Sequence, residues 1–335
     1  MILDGKAVAK KTLMGLKSLV ATLERPPGLA VVRVGEDPAS QLYVKRKSER
    51  AKRLGYFQKT VVLSENAAQE ELMKLVNKYM LLGKNQYAPM MGVPELRSHL
   101  ADKMEELYGY GYDPNTEICV TVGATQGIFT AVSTVVNQGD EVIIIDPAFE
   151  SYEPVIKFNG GKVKRSPLKC GSFEIDWDDI QSKVTKKTRM LIVNTPQNPT
   201  GKVFSRQDIH KLRQTVANTN IIILSDEVYE HIVFDGNEHE SIAKYPDLAE
   251  RSFIVYSLGK TYHITGWRMG YVCAPKELMK EFVRAHQYQV YSIPTPLQYA
   301  LSEYMLKKEK YLELSQFFQD KRDFFLKCVE GSKFV

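Results

Sequence analysis

The sequence predicts an α/β protein: a large domain built on a mainly parallel sheet, preceded by a small N-terminal α/β segment. Three observations carry this. From about Glu117 onward, short β-rich runs alternate with stretches of helical spacing. Most of those runs are continuously apolar, the pattern of strands covered on both faces. The 335 residues, 44% apolar, suffice to bury a large core.

Taken in order, residues 1–80 read as helix, strand (29–34), helix, strand (60–63) and helix. The strands of the large domain are expected at 118–122, 141–145, 190–193, 221–224, 253–256 and 269–273. Residues 311–328 have helical spacing with charges on one side, and nothing after Gly331 is expected to form a further element. The expected division is therefore 1–80, 81–305 and 306–335, with no internal repeat or low-complexity linker.

Composition removes several function classes. No apolar run approaches the roughly 18 residues of a membrane span, and Asp4, Lys6, Lys10 and Lys11 interrupt any leader pattern. A soluble, cytoplasmic protein is expected. Cys119, Cys170, Cys273 and Cys328 lack metal or redox spacing, so no metal site is predicted. Charge is uneven: residues 1–80 carry 15 Lys and Arg against 8 Asp and Glu, net +7, and the remainder 30 against 32, net −2. The cluster Lys45, Arg46, Lys47, Arg50, Lys52 and Arg53 has no interleaved aromatics and no nucleic-acid motif. It is a solvated helix face or a site for a small anion, and nucleic acid is not an expected partner.

Ligands of doubly wound sheets sit beyond the carboxyl ends of the strands, so the residues after each run hold the chemistry. After 118–122 comes Gly123-Ala124-Thr125-Gln126-Gly127 and a helical pattern. Such a turn offers free N–H groups to a phosphate, although an ordinary Thr-capped turn reads the same. After 221–224 comes Ser225-Asp226-Glu227-Val228-Tyr229. A carboxylate at a buried strand end needs a positive partner, such as a protonated pyridine nitrogen, or else caps a helix. After 253–256 comes Ser257-Leu258-Gly259-Lys260-Thr261, then Gly266-Trp267-Arg268-Met269-Gly270. A lysine there loses hydration and becomes the neutral amine that a Schiff base requires. Ser257 and Arg268 supply a hydroxyl and a guanidinium suited to a phosphate ester, with a structural ion pair as the alternative for Arg268.

These motifs resemble the signature set of class I/II, fold-type I, pyridoxal-phosphate aminotransferases. The matching text is Asn194-Thr195-Pro196-Gln197-Asn198-Pro199-Thr200-Gly201, residues 225–230, and Ser257-x-x-Lys260 followed by Gly266-Trp267-Arg268-x-Gly270, in the family's order. Asn85-Gln86-Tyr87-Ala88-Pro89, Asp146-Pro147-Ala148-Phe149-Glu150-Ser151-Tyr152 and Gly259-Lys260-Thr261-Tyr262-His263 narrow it to the methionine/kynurenine aminotransferase-like branch. The resemblance spans about 82–335. It implies pyridoxal 5′-phosphate as cofactor, and an amino acid (methionine, aromatic or similar) and a 2-oxo acid as substrates. It implies Lys260 as the covalent anchor and proton carrier, and Asp226 as the partner of the ring nitrogen. Asn198 and Tyr229 would bind the ring hydroxyl, with Tyr229 also in the catalytic set, and Phe149 would stack on the ring. Ala124, Thr125, Ser257 and Arg268 would hold the phosphate. Tyr87 would reach it from the second subunit of a homodimer; packing within its own chain is the plainer alternative.

Residues 1–80 instead resemble the start of methylenetetrahydrofolate dehydrogenase/cyclohydrolase. Asp4-Gly5-Lys6-Ala7-Val8-Ala9, Arg25-Pro26-Pro27-Gly28-Leu29-Ala30-Val31-Val32-x-Val34-Gly35, Asp37-Pro38-Ala39-Ser40-Gln41-x-Tyr43-Val44-x-x-Lys47 and Gln69-Glu70-Glu71-Leu72 carry the match. Tyr43 and Lys47 fall on that family's catalytic Tyr-x-x-x-Lys, or are simply neighbours on a helix. That enzyme's dinucleotide-binding domain is absent, so folate turnover is not expected, whereas residual folate binding is compatible with the match. Two partial families in one chain suggest a fused, recombined or engineered gene, or an ancestral-type sequence. The aminotransferase family closes with a small domain carrying an arginine for the substrate α-carboxylate, and the chain reaches Val335 where that domain would begin. A C–S β-lyase and a cofactor-binding hybrid with impaired turnover are the alternatives to a working aminotransferase.

Overall fold

A computed structural model describes residues 5–23, 27–34, 38–63 and 69–331. Of the folate-dehydrogenase pattern, Asp4, Arg25, Pro26, Gly35 and Asp37 lie outside the described residues. The chain divides into two compact units, Met1–Ala68 with Gln319–Val335, and Gln69–Phe318.

In the smaller unit, helices Gly5–Ala21 and Pro38–Leu54 accompany strands β1 (Gly28–Val34) and β2 (Phe57–Leu63). The strands pair in parallel from Gly28↔Phe57 to Val34↔Leu63. Gly55, at φ +85°, lets the second helix stop and the chain turn into β2. Val20 and Ala51 are buried in this unit, where the second helix packs on both strands and on the first helix.

The larger unit holds a seven-stranded sheet: β3 (Ile118–Val122), β4 (Glu141–Asp146), β5 (Lys162–Pro167), β6 (Thr188–Asn194), β7 (Ile222–Asp226), β8 (Ser252–Tyr256) and β9 (Met269–Cys273), in the order β3-β9-β8-β7-β6-β4-β5. β5, β4, β6, β7 and β8 run parallel, and β9 runs antiparallel to both β8 and β3. β3 therefore points the same way as the parallel block. Side-chain alternation divides the core in two. Val120, Ile143, Leu191, Ile223 and Ile254 pack on one face. Cys119, Val142, Ile192, Leu224 and Val255 pack on the other, under helix Gly123–Val135.

Three features differ from the sequence reading. Helix Gln69–Leu81, expected with the N-terminal segment, belongs to the larger unit, because Leu72 is buried in its core and Tyr79 stacks on Tyr299 with centroids 5.3 Å apart. The last helical stretch is broken at Glu313 into Glu309–Leu312 and Leu314–Val329. The edge strand β5 was not expected, since its residues KVKRSP are mostly polar and only Ser166 is buried.

Candidate active site

The parallel block and β3 end at one edge of the sheet, and β9 begins there. The turns after β3, β4, β6, β7 and β8 and the residues before β9 thus meet. They line a cavity of about 280 Å³ whose walls include Ala124, Thr125, Phe149, Asn198, Asp226, Tyr229, Ser257, Lys260 and Arg268. Every site residue predicted from the sequence except Tyr87 lies in this wall.

One part of the wall gathers a guanidinium and the N–H groups of a helix start. Helix Gly123–Val135 starts directly from β3, and Gly123 sits at φ +67°. A Cβ on Gly123 would lie 2.9 Å from Arg268 Nη2, so the glycine lets the guanidinium approach the turn. Gly270 serves the same turn: its Cβ would lie 2.8 Å from the Ala124 nitrogen and from the Gly123 carbonyl carbon. Arg268 itself adopts the left-handed conformation, φ 56° and ψ 53°. Its Nη1 donates to the Thr265 carbonyl at 3.2 Å, and Nη2 lies 3.5 Å from Thr125 Oγ1. Among the described residues no carboxylate pairs with Arg268, so the ion-pair alternative is not what the structure holds. A guanidinium, helix-terminal N–H groups and the Ser257 hydroxyl are thereby left facing one space.

A second part holds a buried carboxylate. Asp226 ends β7 and is 3% exposed. Its Oδ2 accepts from the Tyr152 hydroxyl at 2.6 Å and its Oδ1 from the Val228 N–H at 3.3 Å. Burial pushes its carboxyl up to about 6, against the hydrogen bond from Tyr152. Asn194, one strand away, donates to the Asp226 carbonyl at 2.8 Å and accepts from the Asn198 N–H at 2.7 Å, which ties the strand end to the loop carrying Asn198. Lys260 follows β8 on helix Leu258–Thr261, capped by Ser257, whose Oγ accepts from the Lys260 N–H at 3.2 Å. The strand end is buried as expected, but Lys260 is exposed, since its side chain enters the open cavity; Nζ lies 5.5 Å from the centroid of the half-buried Tyr229 ring.

The same segment grips the core with its alternate side chains. Glu227, fully buried, accepts from Ser225 Oγ at 2.8 Å, the Ile242 N–H at 3.0 Å and Tyr256 at 3.2 Å, and lies 2.9 Å from His239 Nε2. Glu230 pairs with Lys103 at 2.6 Å and accepts from Tyr108. Burial opposes the Glu230 charge, but Lys103 beside it prevails and holds the carboxyl at about 2. Burial also pushes the His231 ring down to about 4. Asp226 and Tyr229 face the cavity while Glu227 and Glu230 anchor behind it.

Tyr87 lies elsewhere. It is 81% exposed and makes an edge contact with Tyr291 at 5.3 Å. In the smaller unit, Lys47 Nζ lies 4.5 Å from the ring centroid of the exposed Tyr43, as neighbours on one helix face. Residues without an assigned role in the sequence reading also contribute: Tyr152, Asn194, Gly123 and Gly270. Tyr152 and Asn194 occur in quoted motifs, but their partner Asp226 is 74 and 32 positions away.

Comparison with known proteins agrees with both patterns. The chain matches the family Aminotransferase class I and II over residues 58–332 and the catalytic domain of Tetrahydrofolate dehydrogenase/cyclohydrolase over residues 3–81. It is 42% identical over 263 residues to methionine aminotransferase of Escherichia coli, covering 78% of this chain and 68% of that protein. It is 35% identical over 266 residues to kynurenine–oxoglutarate transaminase 1 of Rattus norvegicus, covering 74% and 63%. The crystal structure of the Escherichia coli methionine aminotransferase superposes with a TM-score of 0.77, covering 78% of this chain and 69% of that one.

Proposed function

Because the chain belongs to the class I and II aminotransferase family, we infer that it moves an amino group from an amino acid to a 2-oxo acid, with pyridoxal 5′-phosphate as its cofactor. One observation carries the reading: Arg268 and the buried Asp226, neither of them in an ion pair among the described residues, share one cavity with Lys260. A phosphorylated pyridine satisfies both, since its phosphate takes the Arg268 end and its protonated nitrogen takes Asp226.

When bound, the cofactor supplies an electron sink that stabilises negative charge on the substrate α-carbon. In this reading the Lys260 Nζ holds the cofactor covalently and carries the proton removed from the substrate Cα. Ala124, Thr125, Ser257 and Arg268 hold the phosphate. Asp226 keeps a proton on the ring nitrogen, while Asn198 and Tyr229 hydrogen-bond the ring hydroxyl. Phe149 covers one ring face and excludes water. Tyr87 reaches the phosphate from a second copy of the chain, a role its exposure supports, so the working unit is a homodimer. The amino donor is methionine, an aromatic amino acid or a similar one, as for the relatives, and the enzyme works in the cytoplasm. No helix of the described residues is long and apolar enough to cross a membrane.

The test is spectroscopic first. Purified protein mixed with pyridoxal phosphate should gain a visible absorption band, and borohydride followed by peptide mapping should place the label on Lys260. A band unchanged in Lys260→Ala refutes the assignment. Formation of 2-oxo acid from methionine or an aromatic donor then distinguishes transfer from elimination.

A further inference from the structure

Tyr152 stands where the sheet edge meets helix Tyr152–Phe158, and its ring is 2% exposed. Its hydroxyl is aimed at Asp226 Oδ2 at 2.6 Å. The ring also makes an edge contact with Phe149, centroids 5.6 Å apart, and the Tyr152 N–H donates to the Phe149 carbonyl at 3.1 Å. One short segment therefore carries both the aromatic that lines the cavity and the hydroxyl that holds the buried carboxylate.

Building on the cofactor reading above, we propose that Tyr152 is a positioning residue that fixes the Asp226 carboxylate and keeps it charged for a protonated ring nitrogen. A hydroxyl donating to a carboxylate stabilises its ionised form, and more so where water is excluded. Burial and the neighbouring Asp226 hold the Tyr152 hydroxyl well above its ordinary titration range, so it donates at every working pH. The other groups acting on the carboxylate are the Val228 N–H at Oδ1 and the charges of Glu227 and Lys260, one opposing and one favouring ionisation. Of these, only Tyr152 is a neutral side-chain donor bonded directly to the carboxylate. Without it, Asp226 becomes protonated more readily, and a cationic ring loses its partner near neutrality.

Tyr152→Phe removes one hydroxyl and keeps the buried ring, with thermal melting as the check on folding. Affinity is read by equilibrium dialysis for two probes: pyridoxal phosphate, and its benzene analogue with CH in place of the ring nitrogen. The expected loss for pyridoxal phosphate is about tenfold near pH 7, the size of one hydrogen bond to a charged group. That loss should shrink as the pH is raised, where Asp226 ionises without the help of the hydroxyl. The benzene analogue should lose less than about twofold, and in an Asp226→Asn background Tyr152→Phe should change neither probe. An equal loss for both probes, a loss independent of pH, or additivity with Asp226→Asn makes Tyr152 a packing residue and overturns the proposal. If wild-type protein binds no pyridoxal phosphate, the cofactor reading fails first, before any variant is compared.

Discussion

At the scale of single residues, the carboxylate that gives the cavity its cation site is a burden to the empty protein. The ordinary value for Asp226 is 3.8, and burial moves it to about 6. Between those values the folded state binds the extra proton, so stability falls as pH rises through that window and the full penalty applies above about 6. Asp226→Asn should therefore stabilise the cofactor-free protein by about 1–3 kcal/mol at neutral pH and by little near pH 4. Denaturant midpoints at the two pH values check this, and an equal gain at both would contradict the burial argument. Gly270→Ala tests the anion end. Its new Cβ would lie 2.8 Å from the Ala124 nitrogen, the Gly123 carbonyl carbon and the Tyr256 carbonyl oxygen, all backbone that cannot swing aside. It is expected to cost about 1–3 kcal/mol and to weaken inorganic phosphate binding, read by melting and by calorimetric titration. Lys260 and Asp226 were legible in the sequence because each follows an apolar run, and Arg268 because it directly precedes one, all three inside dense motifs. The hydrogen bond of Tyr152 was not, since a tyrosine at the start of a helix reads as packing until the fold shows the carboxylate 2.6 Å from its hydroxyl.

At the scale of elements, residues 225–230 work as a strap whose inner end, Glu230, is pinned by Lys103. Glu230, at about 2 against an ordinary 4.5, contributes stability above about 4.5 that is lost as pH falls toward about 2. Lys103→Met leaves that charge buried alone and is expected to cost about 3–5 kcal/mol, whereas adding Glu230→Leu should recover most of the loss. A double variant as unstable as the single one would show that the pair is not the reason. The strands followed the same division of legibility. Runs such as 253–256 announce themselves because both faces are buried. β5 lies at the sheet edge with Lys162 and Arg165 exposed, so its sequence carries no burial signal. The antiparallel insertion of β9 was hidden too, since an apolar run does not encode its direction. Yet that reversal is what delivers Arg268 to the edge where β3 hands over to its helix.

At the scale of the whole molecule, the walls of the cavity run from Gly123 to Met269 and all lie within the unit Gln69–Phe318. The sequence reading closes its N-terminal part at residue 80, whereas Leu72 and Tyr79 commit Gln69–Leu81 to the larger core by contacts with residues more than 200 positions away, such as Glu303 2.7 Å from the Tyr79 hydroxyl. This partition sets where a ligand's free energy is felt. A ligand that binds only folded protein stabilises it by about 2.7 kcal/mol at one hundred times its dissociation constant. That increment suppresses the openings that expose the site and leaves untouched those that do not involve it. Pyridoxal phosphate should thus slow amide exchange in peptides covering 123–127, 226–230 and 257–270, with rates within 5–63 unchanged, as read by hydrogen exchange with mass spectrometry. Protection confined to the smaller unit would place the cofactor elsewhere. Protection of 226–230 that disappears in Lys103→Met would show that the strap needs its buried anchor to order the Asp226 end of the site.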